Sequence, residues 1–339
     1  MHMADALLSP VVGGLMCAAG AGCTGISVAK IKKDEFSEKK VPLMAMAGAF
    51  VFAGQMINFT IPATGSSGHI GGGILLSALI GGYPAFLTMA AVLLIQCLFF
   101  ADGGLLALGC NVINMGAIPC LVVWPLLVRP ILKNGFTTKK INLTAILGVV
   151  MSLQLGAFAV VAETSASGIT ALPFGTFLLL MLPIHLAIGL VEGFVTGLIL
   201  NFVWKMRPEI LTGAVRQKAL DGAISLKKVL AVLGILTVIT GGLLSLFASA
   251  WPDGLEWSIE KITGTAELEA DHPLLETAAR IQGKTAILPD YTFKDVGEEG
   301  NAAGTSLSGI LGGLFVFALA GGTGFLITTL KKQKRRQGD

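Results

Sequence analysis

Apolar residues run along this chain in blocks of about 20, separated by short polar segments. A helix needs about 20 such residues to cross a hydrocarbon core of about 30 Å. On that spacing the pattern predicts nine blocks: Ser9–Ala29, Val41–Ile61, Ile70–Gly81, Pro84–Ala101, Leu108–Val128, Ile141–Ala162, Ala171–Trp204, Val229–Ala250 and Ser306–Leu330. The third is too short to cross comfortably alone. Only Gly81-Gly82-Tyr83-Pro84, a strong helix breaker, divides it from the fourth. The expected fold is therefore an all-α polytopic membrane bundle of about 8–9 spans.

Charge checks that count. Basic residues cluster in Lys30–Lys40, Arg129–Lys140, Lys205–Lys228 and Lys331–Arg336, which together hold 20 of the 24 lysines and arginines. The positive-inside rule assigns such clusters to the cytoplasm. Pro62–His69, Asp102–Ala107 and Glu163–Thr170 have no lysine or arginine and belong outside. Three crossings between Ile70 and Val128 bring every sign into agreement, with the N-terminus external and the C-terminus cytoplasmic. His2 and His69 then share the external side. Between Trp251 and Thr305 eleven acidic residues stand against four basic ones, which predicts a small extracytoplasmic insert before the last helix. The chain thus divides into a membrane unit, 1–228, and a second unit, 229–339, with two spans flanking external segment 251–305.

Composition agrees. Hydrophobic residues make up 53% and charged residues 13%, against about 25% charged in soluble domains, and mean hydropathy is +0.77. The basic balance comes from loops, so the partner it predicts is membrane lipid and not nucleic acid. No basic n-region precedes the first apolar run, which argues against a cleaved signal peptide. The five cysteines lie in or beside apolar blocks without a Cys-x-x-Cys pair and read as packing residues. Two motif matches are discounted. Gly20-Ala21-Gly22-Cys23-Thr24-Gly25 lies inside an apolar helix and not after a strand. Gln282-Gly283-Lys284-Thr285 lacks the upstream glycine of a phosphate loop and falls on the external side. Active transport would therefore need ATPase subunits elsewhere.

The histidines carry the candidate chemistry. His2 follows Met1, so the α-amine, the His2 amide and the His2 imidazole can close a five- and a six-membered chelate ring. His69 sits in a glycine-rich loop, with Ser67 beside it, that re-enters an apolar helix. Irregular backbone at membrane depth survives only where it lines a protein cavity. Four nitrogens in a tetragonal plane point to Ni²⁺ or Cu²⁺ and away from tetrahedral zinc. His185 and Glu192, seven apart in one apolar block, share a helix face and belong inside the bundle. His272, in the acidic segment, reads as a surface residue.

Met1-His2, Gly68-His69-Ile70-Gly71-Gly72, "LGCNVINMG" (108–116) and "HLAIGLVEG" (185–193) together resemble the CbiM/NikM family, the substrate-specific membrane components of energy-coupling-factor transporters for cobalt and nickel. "WPDGLEW" (251–257) and "LPDYTF" (288–293) resemble the PDGLE domain of the small N component, fused here at the C-terminal end. The resemblance implies a non-enzymatic transporter subunit of a prokaryotic cytoplasmic (inner) membrane. Its implied partners are a transmembrane coupling component and ATP-binding-cassette ATPases. Ni²⁺, or alternatively Co²⁺ for cobalamin synthesis, would be its transported substrate. It also implies Met1, His2 and His69 as metal ligands; Asn111 and Asn114, at i and i+3 on one helix, are expected to support the ligand histidines by hydrogen bonds. Two departures stand out: Met3-Ala4 and Ala6 replace the common Ile-Pro and Gly of the N-terminal arm, and Asp102 stands where a histidine is frequent. Two other classes remain open on residues alone: a membrane enzyme using His185 and Glu192 as acid and base, and a self-sufficient secondary carrier.

Overall fold

Thirteen α-helices are found among the described residues of the computed structural model, which covers all of the chain except 32–37, 221–224, 267, 269–271, 294–300 and 338–339. Parts of the predicted basic segment after the first span and of the acidic insert lie outside the described residues. An N-terminal arm leads into α1 (Pro10–Ile31), which is followed by α2 (Lys40–Gln55). A short hairpin, β1 (Phe59–Ile61) against antiparallel β2 (Ser66–Gly68), precedes α3 (Gly73–Ile80) and α4 (Gly82–Phe100). Then come α5 (Leu108–Asn111), a π-helical stretch (Val112–Val128) and α6 (Arg129–Lys133), which form one continuous rod. The rod is followed by α7 (Thr138–Ser167), α8 (Phe174–Met206) and α9 (Pro208–Arg216). The rest of the described chain contributes α10 (Lys227–Gly242), α11 (Gly254–Thr263), α12 (Pro273–Thr285) and α13 (Asn301–Gln337).

Six of these elements, α1, α4, the α5–α6 rod, α7, α8 and α13, are long and apolar enough to cross a membrane. The two remaining full-length blocks of the pattern appear as 16-residue helices, α2 and α10. The short third block is the clearest departure. It forms only the eight-residue α3, about 12 Å long, buried along its whole length. The β-hairpin and the glycine loop precede it as irregular chain. The expected loop Glu163–Thr170 also shrinks, because α7 continues to Ser167 and carries Glu163 into the protein.

The lipid-facing surface is read from exposure. Val11, Leu15, Leu179, Leu126 and Phe325 are large apolar residues at least 66% exposed, on four different long rods. Exposed apolar side chains in such numbers belong against acyl chains. Inside, small residues let backbones approach, as membrane bundles require in the absence of a hydrophobic drive between helices. A Cβ on Gly109 would lie 2.2 Å from the Cys17 amide nitrogen, so α1 meets α5 backbone to backbone.

Described residues next to the basic clusters pack on one another in pairs. Gly324 of α13 packs on Val41 at the start of α2, and Arg129 donates to the Val215 carbonyl in the last turn of α9. The N-terminal arm lies with α11, α12 and the hairpin.

Gly109→Leu should push α1 off α5 and destabilise the bundle by about 1–3 kcal/mol, the usual penalty of overpacking. A lowered unfolding temperature of the detergent-solubilised protein would show it.

Candidate metal centre

The N-terminal arm does not fray into solvent. Met3, Leu7 and Leu8 are fully or nearly fully buried, and the Met1 side chain sits against Gly156 of α7. Polar contacts fix the path of the arm. The Met3 N–H donates to Asn111 Oδ1 at 2.8 Å, and Asn111 Nδ2 returns a bond to the Met3 carbonyl at 3.2 Å. Gly104 N donates to the same carbonyl, and Asp5 accepts from Ala107 N at 2.8 Å. The arm therefore keeps a defined route with Met3-Ala4 in place of the common Ile-Pro.

This route ends with the α-amine 3.2 Å from His69 Nε2, across 68 residues of sequence. The His2 and His69 rings stack 5.2 Å apart and within 15° of parallel. The loop between β2 and α3 delivers His69 through glycine. Gly72 has φ +80°, and a Cβ there would lie 2.6 Å from Val51, so no other residue fits both the space and the backbone. His69 Nδ1 lies 3.1 Å from the Ile70 carbonyl, an arrangement that places the proton on Nδ1 and leaves Nε2 free to ligate.

The His2 ring faces elsewhere. Its Nδ1 lies 3.2 Å from Asp102 Oδ1 and its Nε2 lies 3.2 Å from Gln96 Oε1. Closing the six-membered chelate ring needs Nδ1, so the ring must leave Asp102 to join the amine in one plane. Burial lowers the pKa of both imidazoles, His69 well below its ordinary value with help from the adjacent amine, and His2 against the opposing pull of Asp102. Neutral imidazole is the form that binds metal.

The second unit completes the centre. Asp253, of the "PDGLE" run, forms an ion pair with the Met1 amine. Burial would raise the Asp253 carboxyl, but the amine and His69 outweigh it and hold the group well below the ordinary carboxylate range. Its other oxygen caps α11, accepting from Leu255 N and Glu256 N, while the Glu256 carboxylate accepts from the Asp253 N–H. Tyr291 donates to Asp102, and Gln282 donates to the Gly103 carbonyl at 2.8 Å. The unit therefore grips both sides of the arm.

The remaining candidates divide. Ser67 donates to the Trp251 carbonyl at 2.7 Å and joins the hairpin to the second unit. Asn111 holds the arm, and Asn114 donates to Glu163 at 2.8 Å and touches Met3 Sδ; neither asparagine bonds a histidine, contrary to the expected support. Glu192 accepts from Gly72 N at 2.8 Å and anchors the His69 loop. His185 lies 2.8 Å from the Met181 carbonyl through Nδ1 and lines a cavity with Glu192, Met1 and His69. His272 caps α12. Among the described residues no three His, Cys, Asp or Glu side chains form a metal-holding group. Sequence reasoning missed Asp253, Gln96, Gln55 and Glu163. The two glutamines carried a signal, as lone amides inside apolar helices, and they bond each other at 2.8 Å.

Comparison with known proteins places the chain. Residues 2–210 match the family model for the cobalt uptake substrate-specific transmembrane region, CbiM. The chain belongs to the CbiM family. Residues 227–329 of this CbiM-family chain also match the PDGLE domain. An Archaeoglobus fulgidus protein named as a fused nickel transport protein NikMN is 30% identical over 333 residues, covering 97% of this chain and 98% of that one. A fused nickel transport protein NikMN of Rhodobacter capsulatus is 35% identical over 122 residues, 36% of this chain and 35% of that one. A Methanocaldococcus jannaschii protein named as a cobalt transport protein CbiM is 33% identical, covering 62% of this chain and 90% of that one. A solved transition metal transporter, at 30% identity, superposes with a TM-score of 0.54 over 62% of this chain and 96% of that chain.

Asp253→Ala removes both an N-cap, a loss of about 1 kcal/mol, and the counter-charge of a buried amine. The variant should unfold at lower temperature, and its Met1 amine should react faster with an amine-directed acylating reagent, as read by mass spectrometry of the N-terminal peptide.

Proposed function

We propose that this CbiM-family protein is the substrate-binding component of an ATP-driven importer of nickel. The ion would be held by four nitrogens: the Met1 amine, the His2 amide, His2 Nδ1 and His69 Nε2. One observation carries the reading, the approach of the amine to His69 Nε2 at 3.2 Å in a buried centre. Metal–nitrogen bonds of about 2.0 Å place adjacent corners of a square about 2.8 Å apart, so a small closure brings these two into register once the amine gives up the proton it shares with Asp253; loading releases that proton and the His2 amide proton to solvent. The remaining movement is rotation of the His2 ring away from Asp102. Charge balance favours the same assignment. A divalent ion with one deprotonated amide keeps a single positive charge, and the Asp253 carboxylate beside the amine offsets it. A buried ion needs such pairing.

Nickel is the reading over cobalt because a planar nitrogen set with a deprotonated amide suits a d⁸ ion. The nickel-named relatives that also carry the fused arrangement support it. The same scaffold with Co²⁺ is the competing reading, favoured by the cobalt-named relatives. Transport rests on a transmembrane coupling component and a pair of ATP-binding-cassette ATPases, docked at the basic, cytoplasmic end. The N-terminal arm opens to the outside of the inner membrane. Residues 1–228 form the metal-binding unit, and residues 229–339 the PDGLE unit that closes over it.

His2→Ala removes the imidazole that closes the six-membered ring and should lower Ni²⁺ affinity at least about 100-fold, measured by competition with a chromophoric chelator. Unchanged affinity would overturn the chelate. Purified, nickel-loaded protein should be diamagnetic with a single visible d–d band, whereas a paramagnetic ion would favour cobalt or another geometry. In cells lacking the coupling ATPases, nickel uptake should fall to background; sustained uptake would point to a secondary carrier.

A further inference from the structure

The cavity beside the candidate metal centre carries chemistry that loading does not use. It has about 30 Å³ open to water-sized molecules, room for one or two waters. Met1, His69 and Asp253 line it where it meets the centre, and Asn114, His185 and Glu192 line its wall.

Three side-chain atoms on that wall have no hydrogen-bond partner among the described residues: Glu192 Oε2, His185 Nε2 and Asn114 Oδ1. The residues that carry them are 2%, 1% and 2% exposed. Their chemistry is one-sided. The Met181 carbonyl can only accept, so His185 carries its proton on Nδ1 and keeps a lone pair on Nε2. Asn114 gives its NH₂ to Glu163, which leaves the carbonyl oxygen open. Glu192 uses Oε1 for the Gly72 N–H, which leaves Oε2. His185 Nε2 and Asn114 Oδ1 present electron pairs, and Glu192 Oε2 does so in its ionised form. Buried lone pairs grouped on one cavity call for a cation or its hydration shell.

We propose that this cavity is a second, weaker site for the transported divalent cation. Glu192 Oε2 and Asn114 Oδ1 hold an ion that keeps part of its water shell, and His185 Nε2 accepts from that shell. The proposal rests on loading at Met1, His2 and His69. Seven residues along α8 correspond to about 10.5 Å of rise, so His185 and Glu192 do not share direct bonds to one ion, and water bridges the gap. Oxygen and water ligands bind a late first-row metal less tightly than four nitrogens. A station that accepts an ion and then lets it go needs that weakness. Glu192 also anchors the His69 loop, so an ion reaching its free oxygen bears on the carboxylate that positions the first site.

The test titrates Ni²⁺ into the full chain in lipid nanodiscs and counts equivalents by equilibrium dialysis. The wild type should bind one tight and one weak equivalent. His69→Ala should remove the tight equivalent and leave the weak one; survival of the tight equivalent would instead sink the loading reading. Glu192→Gln, whose carbonyl can still accept the Gly72 N–H, should weaken the second equivalent at least about tenfold. If Glu192→Gln does not fold, Glu192→Asp reads the same equilibrium and should also weaken the second equivalent. Absence of a weak equivalent, or its persistence unchanged in these variants, would overturn the proposal. So would loss of the tight equivalent alone in Glu192→Gln, the mark of a residue that only anchors its loop.

Discussion

A charged amine buried in a membrane protein has to be answered by a carboxylate, and the pairing of Met1 with Asp253 is the constraint around which this structure is arranged. Without it the arm would hold an unpaired charge among apolar helices, at a cost of several kcal/mol. With it, the terminus is fixed beside His69, and the remaining contacts of the arm follow. Asn111 clamps the Met3 backbone from both sides, and Asp5 binds the Leu105–Ala107 corner, so little freedom is left before α1 begins.

The same pairing explains why the PDGLE unit belongs to the centre and is not an appendage. Its Asp253 spends one oxygen on the helix it caps and the other on the terminus, so local helix formation and docking of the arm stabilise each other. Ser67 and the Ser67 amide bind the carbonyls of Trp251 and Pro252, and Trp257 donates to Thr64, which covers the hairpin. Irregular chain with exposed backbone groups is costly in hydrocarbon. Here it is tolerated because α11 and the hairpin satisfy it together.

Below this lid several of the buried polar side chains bond one another in pairs. Gln55 and Gln96 bond each other and reach Gly71 and His2. Asn114 and Glu163 bond each other beneath Met3. These contacts tie α2, α4, α7 and the π-helical stretch to the arm and the His69 loop. Glycines at Gly72 and Gly109 allow the approach that makes such contacts possible.

The sequence by itself determined the class of protein, most of the spans and the identity of the candidate ligands. Apolar block length, basic-cluster spacing and a histidine at the second position are local properties, readable without knowing what touches what. The asymmetry of lysine and arginine also placed His2 and His69 at one end. Tertiary structure alone decided that α3 is a buried half-helix, because an apolar run of eight residues looks the same whether it spans or is enclosed. It alone brought Asp253 to the amine across 252 residues, turned the His2 ring toward Asp102, and set Asn111 and Asn114 to hold the arm and not the histidines. Those choices depend on packing between distant segments, where the partner of a polar group is set by geometry and leaves no periodic mark in the chain.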